Sequence, residues 1–292
     1  MKIFHSDQPF FKGNLHMHTT VSDGALTPEE ATTLYRQNGY DFIALTDHRV
    51  VSAPAHFEEG MLLLPGIELD YTLSSQVVHL VGVGMTDGLL ACGYPATPQA
   101  AIDGIRAHGG RAVLCHPAWS LNTLFVLSEL KDLSAAEVYN TTSTLPHNGQ
   151  RADSSNLLDI AATNGCVFPF MAADDAHYYG GVDSCQSYVM VQAPALTQDA
   201  LLSAIDNGCF YATQGPRFEQ LSLENGRLRV SCSPCSAVVY YSNLVWANDR
   251  VDMGEGLTES EYRVKRSERF VRVQLIDAQG RSAWSSPIVP DR

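Results

Sequence analysis

Along residues 11–214 the apolar positions fall into short unbroken runs separated by stretches in which they recur every three or four residues. The runs "YDFIALTDH", "LLLPGIELD", "QVVHLVGVGM", "RAVLCHP", "AAEVYN", "CVFPFMAADDAH" and "CFYATQ" predict buried strands. The first helical stretch, "TPEEATTLYRQNG", has Thr27 as N-cap, Pro28 at the first helical position, Glu30 placed for a capping box and Gly39 as its stop. "PQAAIDGIRAHGG", segments near 121–130 and 155–164, and "TQDALLSAIDNG" are the other predicted helices. Strand alternating with helix predicts a parallel α/β sheet covered by helices, open or closed into a barrel. After Gly215 and Pro216 the period shortens to two. "FEQLSLENGRLRVSCS" reads as a hairpin across an Asn-Gly turn, and "VVYYSN", "YRVKR", "FVRVQLID" and "SAWSSPIV" continue as short strands. Two domains are expected: 1–215, α/β, and 216–292, a small all-β sandwich.

Composition narrows the class. The 292 residues are 45% hydrophobic and 17% charged, an ordinary globular balance with no repeat or low-complexity tract. No run of eighteen apolar residues occurs and the first residues lack a long apolar stretch, so neither a spanning helix nor a secretory signal is expected. Seven scattered cysteines, an odd number, then read as free thiols in a reducing cytoplasm. "CSPC" at 232–235 has zinc-like spacing but no second pair or nearby histidine, and reads as strand packing. The net charge of −13 is uneven. Residues 1–216 hold eight basic and 22 acidic side chains, while the remainder holds eleven and ten. An acidic body disfavours nonspecific nucleic-acid binding, though bound cations would still admit a small anionic substrate such as a small nucleotide.

The candidate chemistry lies where the strands end. In "NLHMHTTVSDG", His16 and His18 share one face of an extended segment, with Asp23 just beyond. His48 ends "FIALTDH", Glu68 ends "LLLPGIEL", His79 lies in "VVHLVGVG", His116 ends "AVLCHP", and Asp175 and His177 end "FPFMAADDAH". Six of the ten histidines and three carboxylates thus occupy one type of position, at the carboxyl ends of strands, where parallel barrels place their sites. Imidazole and carboxylate without thiolate suit zinc, manganese or iron(II). Alternation turns Cys115 and Asp47 away from their histidine neighbours, and only Asp175, not Asp174, shares a face with His177 in a regular strand.

"HMH…SDG", "LTDH", "GIEL", "HLVG", "CHP" and "DDAH", in this order over residues 11–214, resemble the PHP (polymerase and histidinol phosphatase) family. The resemblance implies a distorted (β/α)7 barrel with two or three divalent ions. It implies that His16, His18, Glu68 and Asp175 hold one ion, that Glu68 bridges to a second completed by His79 and His116, and that Asp23, His48 and His177 hold a third. Glu68 is then the catalytic carboxylate, between two ions that activate a hydroxide. Only 36 residues separate His79 from His116, leaving no room for the helical insertion of small nucleotide-cleaving members. The C-terminal β module instead resembles that of PHP-like carbamate and ester hydrolases.

The expected function is a metal-dependent phosphoesterase acting on a small phosphate ester with a metal-bound hydroxide. The alternatives are a carboxylester or carbamate hydrolase on the same centre, or a non-catalytic metal- or carbohydrate-binding protein. Arg151, in the loop "TLPHNGQRAD", is the expected phosphate ligand in preference to Arg49, with His147 assisting. The partner set is the small-molecule substrate alone, with no membrane.

Overall fold

The computed structural model of the chain describes residues 2–4 and 8–290. Residues 1, 5–7 and 291–292, which the expected domain limits include, lie outside the described residues. Strands β1 (Lys2–Phe4) and β2 (Phe10–Asn14) precede helix α1 (Pro28–Gln37), followed by β3 (Phe42–Leu45), β4 (His56–Glu58), β5 (Met61–Leu73) and β6 (Gln76–Val83). Then come α2 (Pro98–Ala107), β7 (Arg111–Leu114), α3 (Leu124–Glu129), β8 (Ala135–Asn140), α4 (Ser155–Thr163) and β9 (Phe170–Ala173). β10 (Tyr188–Gln192), α5 (Gln198–Asp206) and β11 (Phe210–Thr213) complete this part. The remaining strands are β12 (Phe218–Glu224), β13 (Arg227–Ser242), β14 (Val251–Arg263), β15 (Val271–Ile276) and β16 (Ser282–Ser285).

The helix starts are written into the sequence. Thr27 accepts from the Glu30 N–H while the Glu30 carboxylate accepts from the Thr27 N–H, which is the predicted capping box. Thr97, Thr123 and Thr197 cap α2, α3 and α5 by the same side-chain acceptance three residues on.

Strands β2, β3, β5, β6, β7, β8 and β9 are hydrogen-bonded in that order. Past β9 the chain pairs in parallel with the continuation of β2 through a Met17–Ala176 bridge, so the seven-strand run returns on itself. Six of these strands run one way. The expectation of an all-parallel sheet is corrected at β6, which pairs antiparallel with both β5 and β7. The cause is local: only Ser74 and Ser75 separate β5 from β6, and a parallel return needs a crossover of a dozen residues or more. The β3–β5 connection likewise carries no helix, only β4. β10, absent from the predicted elements, pairs antiparallel with β2 and β11. β14 is much longer than the expected "YRVKR" strand.

The C-terminal strands are antiparallel and continuous with this sheet, because β16 pairs with both β11 and β15. The predicted Asn-Gly turn joins β12 to β13, with Asn225 at φ 51° and Gly226 at φ 71°. Cys232 and Cys235 are buried among the apolar side chains of this part, as strand packing requires. Trp284 of β16 is instead buried in a core cluster of the α/β part that includes side chains of β8, α4 and β9. Among the described residues, no helix is long and apolar enough to cross a membrane.

Candidate metal centre

Segments just past the carboxyl ends of β2, β3, β7 and β9 converge on one cluster, to which β5 adds Glu68, not at its end as expected, and β6 adds His79, each from within its own length. His16 and His18 follow β2, and their backbone is pinned to that following β9: the His18 N–H donates to Ala176 O and the Asp175 N–H to His16 O. Beyond them, Asp47 accepts from the Thr19 and Ser22 N–H groups and from both hydroxyls, folding the loop that carries Asp23. The glycine of "SDG" is required there, since a Cβ on Gly24 would lie 2.1 Å from His18 O. His116 and Asp175 leave their strands in the left-handed region, at φ 31° and 54°. This region is uncommon for non-glycine residues.

The side chains meet closely. Glu68 is 1% exposed, with His79 Nδ1 2.9 Å and His16 Nε2 3.4 Å from its Oε1, and His18 Nε2 3.1 Å and His48 Nδ1 3.2 Å from its Oε2. Asp175 Oδ1 lies 3.1 Å from both His16 Nε2 and His18 Nε2 and 3.6 Å from His177 Nδ1. His116 Nε2 lies 3.7 Å from Glu68 and 3.8 Å from Asp175. Asp23 approaches His18, His48 and His177 at 3.4, 3.7 and 3.6 Å. The structure thus brings all nine expected ligands together. Four groups have ligand atoms close enough to share an ion: His16, His18 and Asp175; His16, Glu68 and His116; His18, Asp23, His48 and His177; and His16, Cys115 and Glu137.

Charge in the cluster is unbalanced in a way that a cation corrects. Burial disfavours the charged form of His18, yet the adjacent Asp175 and Glu68 carboxylates outweigh it and raise its pKa to about 9. His16, His79 and His177 are also raised, against the cost of burial, by the carboxylates beside them. Burial works against ionised Glu68 and Asp175, but the imidazoles hold both well below the usual carboxylate range, as His177 does for Asp23. Buried Asp175 Oδ1 and His48 Nδ1 have no hydrogen-bond partner. Orphaned acceptors in a nitrogen-and-carboxylate cage fit divalent ions, which supply the positive charge that protons supply here.

Several neighbours shape this cage. Asp174 faces away, as alternation predicts: it accepts from the Cys185, Gln186 and Ser187 N–H groups and the Tyr35 hydroxyl. Burial pushes the Cys115 thiol well up, in keeping with a packed side chain. Glu137, which the sequence reading passed over, is buried and accepts from His16 Nδ1 and the His116 N–H, both at 2.8 Å. Its one visible signal was an acid inside the apolar strand "AAEVYN". The cluster floors a cavity of about 250 Å³ walled by Trp119, Thr142, Ser143, Asn148 and Tyr178. His147 packs edge-on against Tyr178. Arg151 is exposed and does not line the cavity, and Arg49 is paired with Asp70.

Comparison with known proteins agrees with this architecture. A two-domain protein from Bacteroides vulgatus, described as containing a predicted PHP-like metal-dependent phosphoesterase, superposes with a TM-score of 0.56 at 16% identity, over 92% of this chain and 91% of that one. The likeness is one of fold. No family model matches the sequence. The chain is 31% identical over 103 residues to a 3',5'-nucleoside bisphosphate phosphatase of Chromobacterium violaceum, covering 33% of this chain and 36% of that protein. It is 35% identical over 79 residues to the 5'-3' exoribonuclease Rnm of Salmonella typhimurium, covering 25% of this chain and 27% of that protein. The chain therefore spans only about a third of the length of the curated relatives it matches.

Proposed function

We propose that the chain is a metal-dependent phosphoesterase acting on a small phosphate ester. The observation that carries this reading is the buried set of imidazoles and carboxylates, with an orphaned Asp175 oxygen, at the floor of an open cavity. Two ions, with a third at the Asp23 group, would be held by His16, His18, Glu68 and Asp175, by Glu68, His79 and His116, and by Asp23, His48 and His177. Zinc, manganese or iron(II) suits these donors. Such ions activate a water near neutral pH and offset the charge that develops on a phosphoryl oxygen. Glu68, facing five histidines, joins two of the ion positions and is the residue on which activity depends most. The seven strands form a distorted barrel, supported by the Met17–Ala176 return, and the C-terminal strands form a sandwich that buttresses it.

Arg151 and His147 do not line the cavity in this structure, so they would approach a bound phosphate only by an inward movement of their loop. Between residues 8 and 215, Arg151 is the one Lys or Arg side chain with no hydrogen bond or ion pair, which leaves its guanidinium available. The nucleotide relatives and the aromatic walls Trp119 and Tyr178 favour nucleoside phosphates or short ribonucleotide ends as substrates. The acidic body argues against gripping long nucleic acid. The seven free thiols fit a reducing cytoplasm. The test is to count ions per chain by elemental analysis, then compare phosphate with carboxyl esters under equal metal loading. Phosphate release supports the proposal, whereas carboxyl-ester turnover alone replaces it with an ester hydrolase.

A further inference from the structure

Glu137 and Asn140 leave β8 together and touch three of the nine expected ligands. One Glu137 oxygen, Oε1, meets His16 Nδ1 at 2.8 Å. The other, Oε2, accepts from the His116 N–H and from Asn140 Nδ2, each at 2.8 Å. Asn140 Nδ2 also reaches Asp175 Oδ2 at 3.2 Å, and its Oδ1 accepts from the Ser143 N–H and hydroxyl, on the cavity wall. Glu137 is 2% exposed and Asn140 fully buried, so no water competes for these bonds.

We infer that Glu137 is a positioning residue that fixes the His16 tautomer and the His116 backbone at once, and so sets the affinity of two ion positions jointly. This rests on the metal reading above. Only a carboxylate has an acceptor for every donor at this point. It keeps the His16 proton on Nδ1, which leaves the Nε2 lone pair facing Glu68 and Asp175. Its second oxygen restrains the His116 N–H, whose residue sits at φ 31° and returns to its strand's extended conformation if released. A glutamine of the same shape has one acceptor and one donor. Either His116 and Asn140 face an N–H group, or His16 accepts through Nδ1 and moves its proton to Nε2, against the ion.

The test is Zn²⁺ affinity by competition with a chromophoric chelator, with stoichiometry by elemental analysis, on wild type, Glu137→Gln and Glu137→Asp. Histidine ¹⁵N NMR of the zinc-loaded proteins reports the tautomer. Glu137→Gln is expected to weaken zinc binding about 10- to 100-fold, with the His16 and His116 positions affected together. Glu137→Asp, which keeps the charge and both acceptors, recovers a good part of the loss. Unchanged affinity in Glu137→Gln, or equal losses in the two variants, overturns the inference. If Glu137→Gln does not fold, wild-type NMR still decides: a zinc-loaded His16 with its proton on Nε2 overturns it. Wild type that takes up no zinc defeats the metal reading itself, a distinguishable result.

Discussion

Glu68, inside β5, and Asp174, just past β9, are both buried carboxylates, yet they face opposite problems. Glu68 is surrounded by imidazoles and Asp174 by N–H and O–H donors. Glu68→Gln is therefore expected to remove metal-dependent activity by at least about 100-fold with the fold retained, since a neutral amide joins ions poorly. Asp174→Asn should leave ligand chemistry intact but cost stability, about 2–3 kcal/mol, because an amide offers fewer acceptors to the buried donors. Parallel activity and melting measurements separate the two, and equal activity losses at unchanged stability would contradict the assignment. The raised histidines make a second prediction. His18 has its pKa near 9 without metal, so at pH 7.5 the cluster carries protons that ions displace. Metal titration in weak buffer should release protons, and affinity should fall as pH is lowered from 8 to 6. For the metal-free protein the sign is opposite: charged His18 lends stability that is complete below its unfolded pKa and is lost as pH rises through about 9. Metal uptake without proton release would contradict this picture. At this scale the convergence of the nine expected side chains was legible, because most of them follow apolar runs that end in strands, although Glu68 and His79 lie inside β5 and β6. Glu137 was not, since a lone acid in an apolar strand carries no sign of what it will touch.

At the scale of elements, what could be read ahead depended on how local the cause was. The Thr27 capping box and the Asn225–Gly226 turn need only a few neighbouring residues, and both form as the sequence indicates. The reversal of β6 was present in the sequence too, as a two-residue gap, but was masked by continuous apolar runs on either side. Those runs do not distinguish parallel from antiparallel partners. β10 pairs on both edges with distant strands, so its identity rests on partners and not on its own five residues. The loop 19–24 offers the sharpest element-scale test. Gly24→Ala places a methyl inside His18 O and must push the Asp23 loop away. The expected outcome is loss of an ion from the Asp23, His48 and His177 group, read by elemental analysis, with a modest fall in melting temperature. Full metal content in that variant would mean the loop does not need its close approach.

The whole molecule ties the accessory strands to the site wall. Arg272 of β15, 1% exposed, grips Asp159 of α4 with two 2.7 Å bonds, and Trp284 stacks on Tyr139 of β8. β8 and α4 are neighbours of the Glu137 and Asn140 pair, so the C-terminal strands support the cage without supplying a ligand. Arg272→Ala should cost about 3 kcal/mol by leaving Asp159 half-buried and unpaired. A chain ending after Thr213 should fail to fold, and a truncated chain that folds and loads metal would show the strands to be dispensable. The central claim is metal-dependent phosphate release, and it is tested most directly by assaying inorganic phosphate from a nucleoside 3',5'-bisphosphate with chain of known metal content, before and after chelation. The account predicts release by the loaded chain, loss on chelation and recovery on adding the ion back. A fully loaded chain that releases no phosphate, or a chelated one that releases it undiminished, would contradict the account.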